Sequence, residues 1–245
     1  MISIPSLMRW EDLARASVLL ARKHRIDRVV GVDDFDITTA AEVRELLGIS
    51  GMDVTTARQW KDKLSTRRAA ARAGVPVPAF IPYLHEEDLQ DFLEDRPGPW
   101  ILKPRAYAGA VGMRVLRSRE EALELHRQLG DGAVDYILEE FVPGDIHHVD
   151  GIVAGGVVRF AECHAYGRPT LQVAQQGGVF TTRTMDWESV LAHQLRVLHG
   201  QVVAALGMEN GVTHVEFIVG PEGSPVFLVG ASRVAVPSSP MWLSR

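Results

Sequence analysis

Cysteine is nearly absent from this 245-residue chain: Cys163 stands alone. A single thiol excludes an internal disulfide and a multi-cysteine metal site, and it fits a reducing compartment. Charge imbalance is small as well. A net charge of −5 and a pI near 6.0 give no bulk reason to expect nucleic acid. No apolar run approaches the roughly 18 residues that a membrane span requires. The opening MISIPSLMRWEDLARASVLLARK breaks its apolar positions with charges, unlike a secretory signal. Internal repeats and low-complexity tracts are missing too. What is there is ordinary: 46% hydrophobic and 23% charged residues, the composition of a globular protein. The expectation is a soluble cytoplasmic protein, with neither nucleic acid nor membrane as partner and with a homodimer as one compatible state.

Periodicity supplies the elements. Residues 9–24 are apolar at helical spacing, and the apolar run 27–33 (DRVVGVD) reads as a short buried parallel strand. A helix follows over 37–51, stopped at Gly48. Strand between helices predicts an α/β layer. TARQWKDKLSTRRAAARAG reads as one helix ending at Gly74, its arginines forming a solvated face. VPVPAF must be extended, because each proline disfavours helix in its predecessor. A charged helix (HEEDLQDFLEDRPGP), the strand WILKP, a small-residue loop and the strand MRVL come next. Ser118 and Glu121 form a capping box for the helix after them. The strand YILEEFV then leads to a hairpin around Gly155-Gly156, a long irregular stretch (RPTLQVAQQGGVFTTRTM), a helix, and a last hairpin around GPEGS. The second part is therefore α+β, in two lobes meeting near residue 138.

Three stretches could carry chemistry. In WILKPRAYAGAVG, Lys103 ends a strand before a loop with Gly109 and Gly112. Small residues admit backbone N–H groups to phosphate oxygens and the lysine adds a point charge; an ordinary hairpin with a snorkelling lysine fits the same string. In ILEEFVPGD, Glu139 and Glu140 point to opposite faces, so at most one lines a pocket, and a solvated strand end is the alternative. In THVEF, His214 and Glu216 share a face, as do Val229, Ala231 and Arg233 on the following strand. An acid and an arginine suit a magnesium nucleotide, although a surface cross-strand pair would look alike. Cys163 and His164 face opposite sides and cannot form a nucleophile–base pair by themselves; His147, His148 and Asp150 could suggest a metal site, but only the last two share a face.

The order of these strings resembles the ATP-grasp superfamily: a lysine before the helix ending AGVPVP, then LKP with its glycine loop, LEEFVPGD, HVDGIV, GVTHVEF and a last strand ending in arginine. DDFDITTAAEVRELLGISGM…KDK looks like the end of the preceding domain of the carboxylate–amine ligase branch. The resemblance covers about residues 25–234. It implies a fold of two α+β lobes sandwiching a nucleotide, over residues 59–137 and 138–245, after a partial α/β domain over 1–58. It implies ATP and Mg²⁺. Lys63 resembles a lysine that contacts nucleotide phosphate, and Lys103 the strand lysine beneath the loop 106–112. Glu139, with the backbone of Glu140, Phe141 and Val142, resembles the hinge that cradles adenine, and Asp145 stands where an acid often binds ribose. Glu216 resembles the first magnesium ligand, Arg233 the arginine on transferred phosphate, and Arg183 a substrate contact. The implied reaction activates a small carboxylate, an amino acid by preference, as an acyl phosphate for attack by an amine. A non-catalytic nucleotide-binding module of the same fold is the alternative, and a bicarbonate-using relative ranks behind both.

Two departures stand out. The last strand of the superfamily usually carries Glu-x-Asn-x-Arg, where this chain has Val229-Gly230-Ala231-Ser232-Arg233. After the arginine comes VAVPSSPMWLSR in place of a Gly-Gly continuation. Val-Gly-Gly-Ala written GTG GGC GGT GCC becomes Val-Ala-Val-Pro on loss of one G, so the tail is expected to be a frameshifted truncation.

Overall fold

In the computed structural model the described residues are 9–107, 111–168 and 170–233; the tail after Arg233 lies outside them. The first layer is helical. Helix α1 (Trp10–Ala21) packs beside α2 (Asp36–Leu47), which ends at Gly48 as expected. The run 27–33 is not a strand, which corrects the reading of a buried parallel strand there. Val30 and Val32 are 75% and 78% exposed. A strand is stable only with ladder partners, and among the described residues none lies beside this run.

Two helices replace the single one expected over 56–74. Helix α3 (Val54–Lys61) stops at Asp62, and α4 (Lys63–Arg72) starts immediately after it. Asp62 has extended backbone angles and accepts from the Leu64 N–H at 3.0 Å. Aspartate prefers the N-cap to the helix interior, because its carboxylate satisfies an otherwise orphaned amide. That preference wins over the helix formers around it.

The first sheet holds β1 (Phe80–Pro82), β2 (Trp100–Pro104), β3 (Arg114–Leu116) and β4 (Tyr136–Glu140) in the order β1-β4-β2-β3, all antiparallel. Alternation puts Trp100, Leu102 and Leu138 on one face, packed against α5 (Glu86–Asp95) and α6 (Arg119–Leu129). Ser118 caps α6 as expected, but Glu121 returns its hydrogen bond to the Arg117 N–H rather than to that of Ser118. Lys103 and Glu139 are left on the opposite, inner face. The chain passes to the second sheet through residues 141–144, after the whole of β4.

The second sheet has five strands in the order β7-β6-β5-β8-β9. These are β5 (Asp145–Ala154), β6 (Val157–Tyr166), β7 (Thr182–Thr184), β8 (Asn210–Val219) and β9 (Pro225–Ala231). Gly155 and Gly156, at φ 61° and 71°, make the tight turn between β5 and β6, a left-handed pair that suits the twist of a hairpin. The stretch expected to be irregular contains a short helix, α7 (Thr170–Gln176), as well as β7. Helix α8 (Val190–Ala205) covers one face, burying Val149, Cys163, Val215, Phe217 and Phe227 against Leu195 and Val202. The other face of this sheet is polar. Among the described residues no helix is long and apolar enough to cross a membrane.

Candidate active site

Helix α4 joins the two sheets through Arg67. This residue is 1% exposed, against the expectation of a solvated arginine. Its Nε lies 2.8 Å from Glu139 Oε1, and its Nη2 donates to Glu139 Oε2 at 3.2 Å and to the Leu228 carbonyl of β9. The guanidinium also sits 5.3 Å from the centre of the Phe227 ring. A planar fork held on a carboxylate, a carbonyl and a ring suits arginine and no other cation.

Lys103 Nζ donates to the same Glu139 oxygen, and both groups are buried. Burial alone would raise the Glu139 carboxyl, but Arg67 and Lys103 outweigh it and hold it below the usual carboxylate range. Burial pushes the Lys103 ammonium down, and Glu139 opposes that shift. The side chain of Glu139 is thus committed to two cations, and its backbone lies within the sheet, in register with Phe80 and Ile101. Glu140 points the other way, 3.7 Å from Arg96, into an open groove of about 530 Å³ lined by Pro78, Phe80 and Phe92. The amides of Glu140 and Phe141 bond the carbonyls of Ala79 and Pro99, fixing the hinge to the first sheet, with Phe141 exposed and Val142 half-buried.

Lys63, the first residue of α4, donates to the carbonyls of Pro104 (3.1 Å) and Tyr107 (2.5 Å), at the root of the glycine loop. Burial first, and the charge of Lys103 second, lower its pKa to about 8. Gly112 has φ 73°, and a Cβ there would lie 2.9 Å from the Pro104 ring, so the backbone at Gly112 packs tightly on the strand end. Gly109 lies outside the described residues.

Across from this cluster stands the polar face of the second sheet. Register places Glu216 opposite Val229 on one side and His148 on the other, and His214 opposite Ala231 and Asp150. Tyr166 donates to Glu216 Oε1 at 2.9 Å, and His214 Nε2 is 3.3 Å from the same oxygen. Burial would raise the Glu216 carboxyl, but its bond from His214 prevails and lowers it. Glu216 also acts electrostatically on Lys103, so the charges of the two inner faces are felt by one another. Arg233 Nε pairs with Asp34 Oδ2 at 2.7 Å, and its charge is felt at Tyr166.

Lys63, Lys103, Glu139, Glu216 and Arg233 therefore converge between the sheets. Asp145 and Arg183 do not. By strand alternation both lie on the face away from Glu216, beside His147, on which each acts. Sequence reasoning missed Arg67 and Asp34, and of the histidine cluster it weighed His148 with Asp150 but not His164 or His214 beside them. A hint for the cluster was present: HHVD, ECHAY and THVEF each carry a histidine at a strand position of one parity.

The donor set fits a nucleotide with magnesium. Lysines fit phosphate, and Mg²⁺ is commonly held by one or two carboxylates together with substrate phosphates. Glu216 offers one carboxylate, and Val229 offers none. A single ion bridging to phosphate fits these residues; a two-ion site does not.

Comparison with known proteins matches this geometry. The structure is similar to L-amino acid ligase from Bacillus licheniformis, at 19% identity and a TM-score of 0.78, over 96% of this chain and 56% of that one. It is similar to N5-carboxyaminoimidazole ribonucleotide synthetase from Thermus thermophilus, at 24% identity and a TM-score of 0.73, over 94% of this chain and 59% of that one. At such identities the likeness is one of fold. A curated D-alanine–D-alanine ligase from Anaplasma centrale is 29% identical over 89 residues, 36% of this chain and 42% of that protein. The chain spans little more than half the length of the first of these structures. A family model described as an ATP-grasp domain matches residues 60–229, more than half of the chain, including Lys63, Lys103, Glu139 and Glu216. By that match, and by the two antiparallel sheets that carry these residues, the chain belongs to the ATP-grasp family.

Proposed function

We propose that this protein is an ATP-dependent carboxylate–amine ligase that activates a small carboxylate, an amino acid by preference, for attack by an amine. The observation that carries the proposal is the meeting of buried Lys103 on one sheet with Glu216 on the other. Lys63 and Lys103 bind the phosphates, and Arg67 holds Glu139 so that Lys103 keeps its position. The base lies against the hinge at residues 140–142. Arg233 stabilises charge on the transferred phosphate, with Asp34 orienting its guanidinium. Glu216 holds Mg²⁺, which when bound would neutralise phosphate charge. Most of the rate enhancement would come from such fixed charges, as in phosphoryl transfer generally. Asp145 and Arg183 receive no role on this geometry.

One observation favours a second reading, a nucleotide-binding protein without turnover. Val229 faces Glu216 across the ladder where a second carboxylate would complete a metal pair. ADP and phosphate release across a panel of carboxylates and amines, beside nucleotide-binding calorimetry, separates the two. Release above background for one pair of substrates supports the ligase; ATP binding with no release across the panel supports the second reading; no ATP binding overturns both.

A further inference from the structure

A single row crosses the whole second sheet in register: Thr184, His164, His148, Glu216 and Val229. One residue pair along, Asp150 lies on the same face as His148. His148 Nδ1 is 3.1 Å from Asp150 Oδ2, and His164 Nε2 is 3.7 Å from that oxygen. The two rings stack at 4.7 Å with 18° between their planes. One ligand atom from each of the three residues lies within 4.8 Å of the others.

The partners on the far side of each group explain this convergence. His148 Nε2 meets Thr182 Oγ1 at 2.9 Å, and that hydroxyl is 3.3 Å from the Ala165 carbonyl. A hydroxyl whose hydrogen goes to a carbonyl accepts from the imidazole, so the proton of neutral His148 sits on Nε2. Its Nδ1 is then a bare lone pair. It is buried, has no hydrogen-bond partner, and faces a carboxylate oxygen. His164 Nδ1 is tied to Thr184 Oγ1 at 3.3 Å, which turns Nε2 inward. Asp150 Oδ1 is tied to His214 Nδ1 at 2.7 Å, which leaves Oδ2 facing both rings. Two imidazole nitrogens and a carboxylate oxygen thus lie together on the inner side, a donor set that suits a cation. Outer hydrogen bonds of this kind fix metal-ligating histidines.

We propose that His148 Nδ1, Asp150 Oδ2 and His164 Nε2 bind a divalent transition-metal ion of the zinc or cobalt type. Two imidazoles and one carboxylate select such an ion over Mg²⁺ or Ca²⁺, which prefer oxygen. Bond lengths of about 2.0–2.2 Å put tetrahedral donor atoms roughly 3.4 Å apart, so closing the site requires one imidazole to rotate out of the stack until both nitrogens face the same point. The ion would clip β5 to β6 and place a positive charge one strand from Glu216. The inference does not rest on the nucleotide reading.

The test uses the full chain after chelator treatment, titrated with Co²⁺ and followed by calorimetry and visible absorption. One equivalent should bind, with d–d bands of a four- or five-coordinate site, and excess Mg²⁺ should not displace it. Asp150→Asn and His164→Ala should each weaken binding at least about tenfold. Thr182→Val removes an exposed outer partner and no ligand, so it keeps the test open if a ligand variant fails to fold; it should weaken binding about 10–100-fold. Glu216→Gln should leave Co²⁺ affinity within about threefold. Parental affinity in Asp150→Asn and His164→Ala, displacement by Mg²⁺, or loss of binding in Glu216→Gln alone would each overturn the proposal; absence of Co²⁺ binding would do so outright and assign the position to a proton on His148.

Discussion

Val229 is the residue on which the proposed activity turns. It is half-buried and sits opposite Glu216. Val229→Glu would put two carboxylates across one ladder rung, where like charges repel. The variant should melt below the parent without Mg²⁺, recover with it, and bind Mg·ATP about tenfold more tightly; no change in melting or in affinity would mean that β9 does not face the nucleotide. Lys63 gives a pH signature. Its folded-state pKa of about 8 lies below the ordinary 10.5, by burial and then by the charge of Lys103. Between those values the unfolded chain binds more protons, so stability rises as pH increases from about 8 towards 10.5 and is lost as pH falls through about 8. Nucleotide affinity runs the opposite way, because the ammonium disappears above about pH 8. Calorimetry from about pH 7 to 9.5 should show a falling affinity that Lys63→Arg flattens, since a guanidinium stays charged. Lys103 and Glu216 were legible in the sequence because each ends or spans an apolar strand where polarity is out of place. Arg67 was not: STRRAAARAG has the composition of a solvated helix, and only the fold shows that Glu139 lies against it.

At the scale of elements, the break between α3 and α4 positions the site. Asp62 caps α4, pairs with Arg105 (Nε–Oδ1 3.0 Å), and sets Lys63 at the first turn, where the Lys63 N–H bonds the Arg105 carbonyl. Asp62→Ala should cost about 1–2 kcal/mol in urea unfolding, as loss of a cap does, and should weaken ATP binding by displacing Lys63. An unchanged ATP affinity would separate the cap from the site. Strand positions and both late hairpins were readable from period-two alternation and turn glycines. The helix break was less so, because one aspartate among Lys, Gln, Arg and Ala barely alters a summed propensity. The run 27–33 misled for a different reason: an apolar string specifies a strand only where a neighbour supplies its hydrogen bonds.

At the scale of the molecule, Arg67 ties the sheets together by bonding Glu139 of the first and Leu228 of the second. Arg67→Ala would leave a buried carboxylate with Lys103 as its remaining partner, and breaking a buried pair costs about 3–5 kcal/mol. Urea unfolding should show that loss; a change below about 1 kcal/mol would mean that the lobes are held by other contacts. The two-lobed architecture was legible as an ordered set of weak strings, each ambiguous alone. How the lobes close on one another was not, because it depends on side chains far apart in sequence. The central claim is that ATP binds where Lys103 meets Glu216. Titration calorimetry of Mg·ATP into the parent and into Lys103→Ala tests it most directly. The parent should bind about one equivalent, with affinity that falls when Mg²⁺ is withheld, and the variant should lose at least about tenfold; equal binding by the two proteins, or none by the parent, would contradict the account.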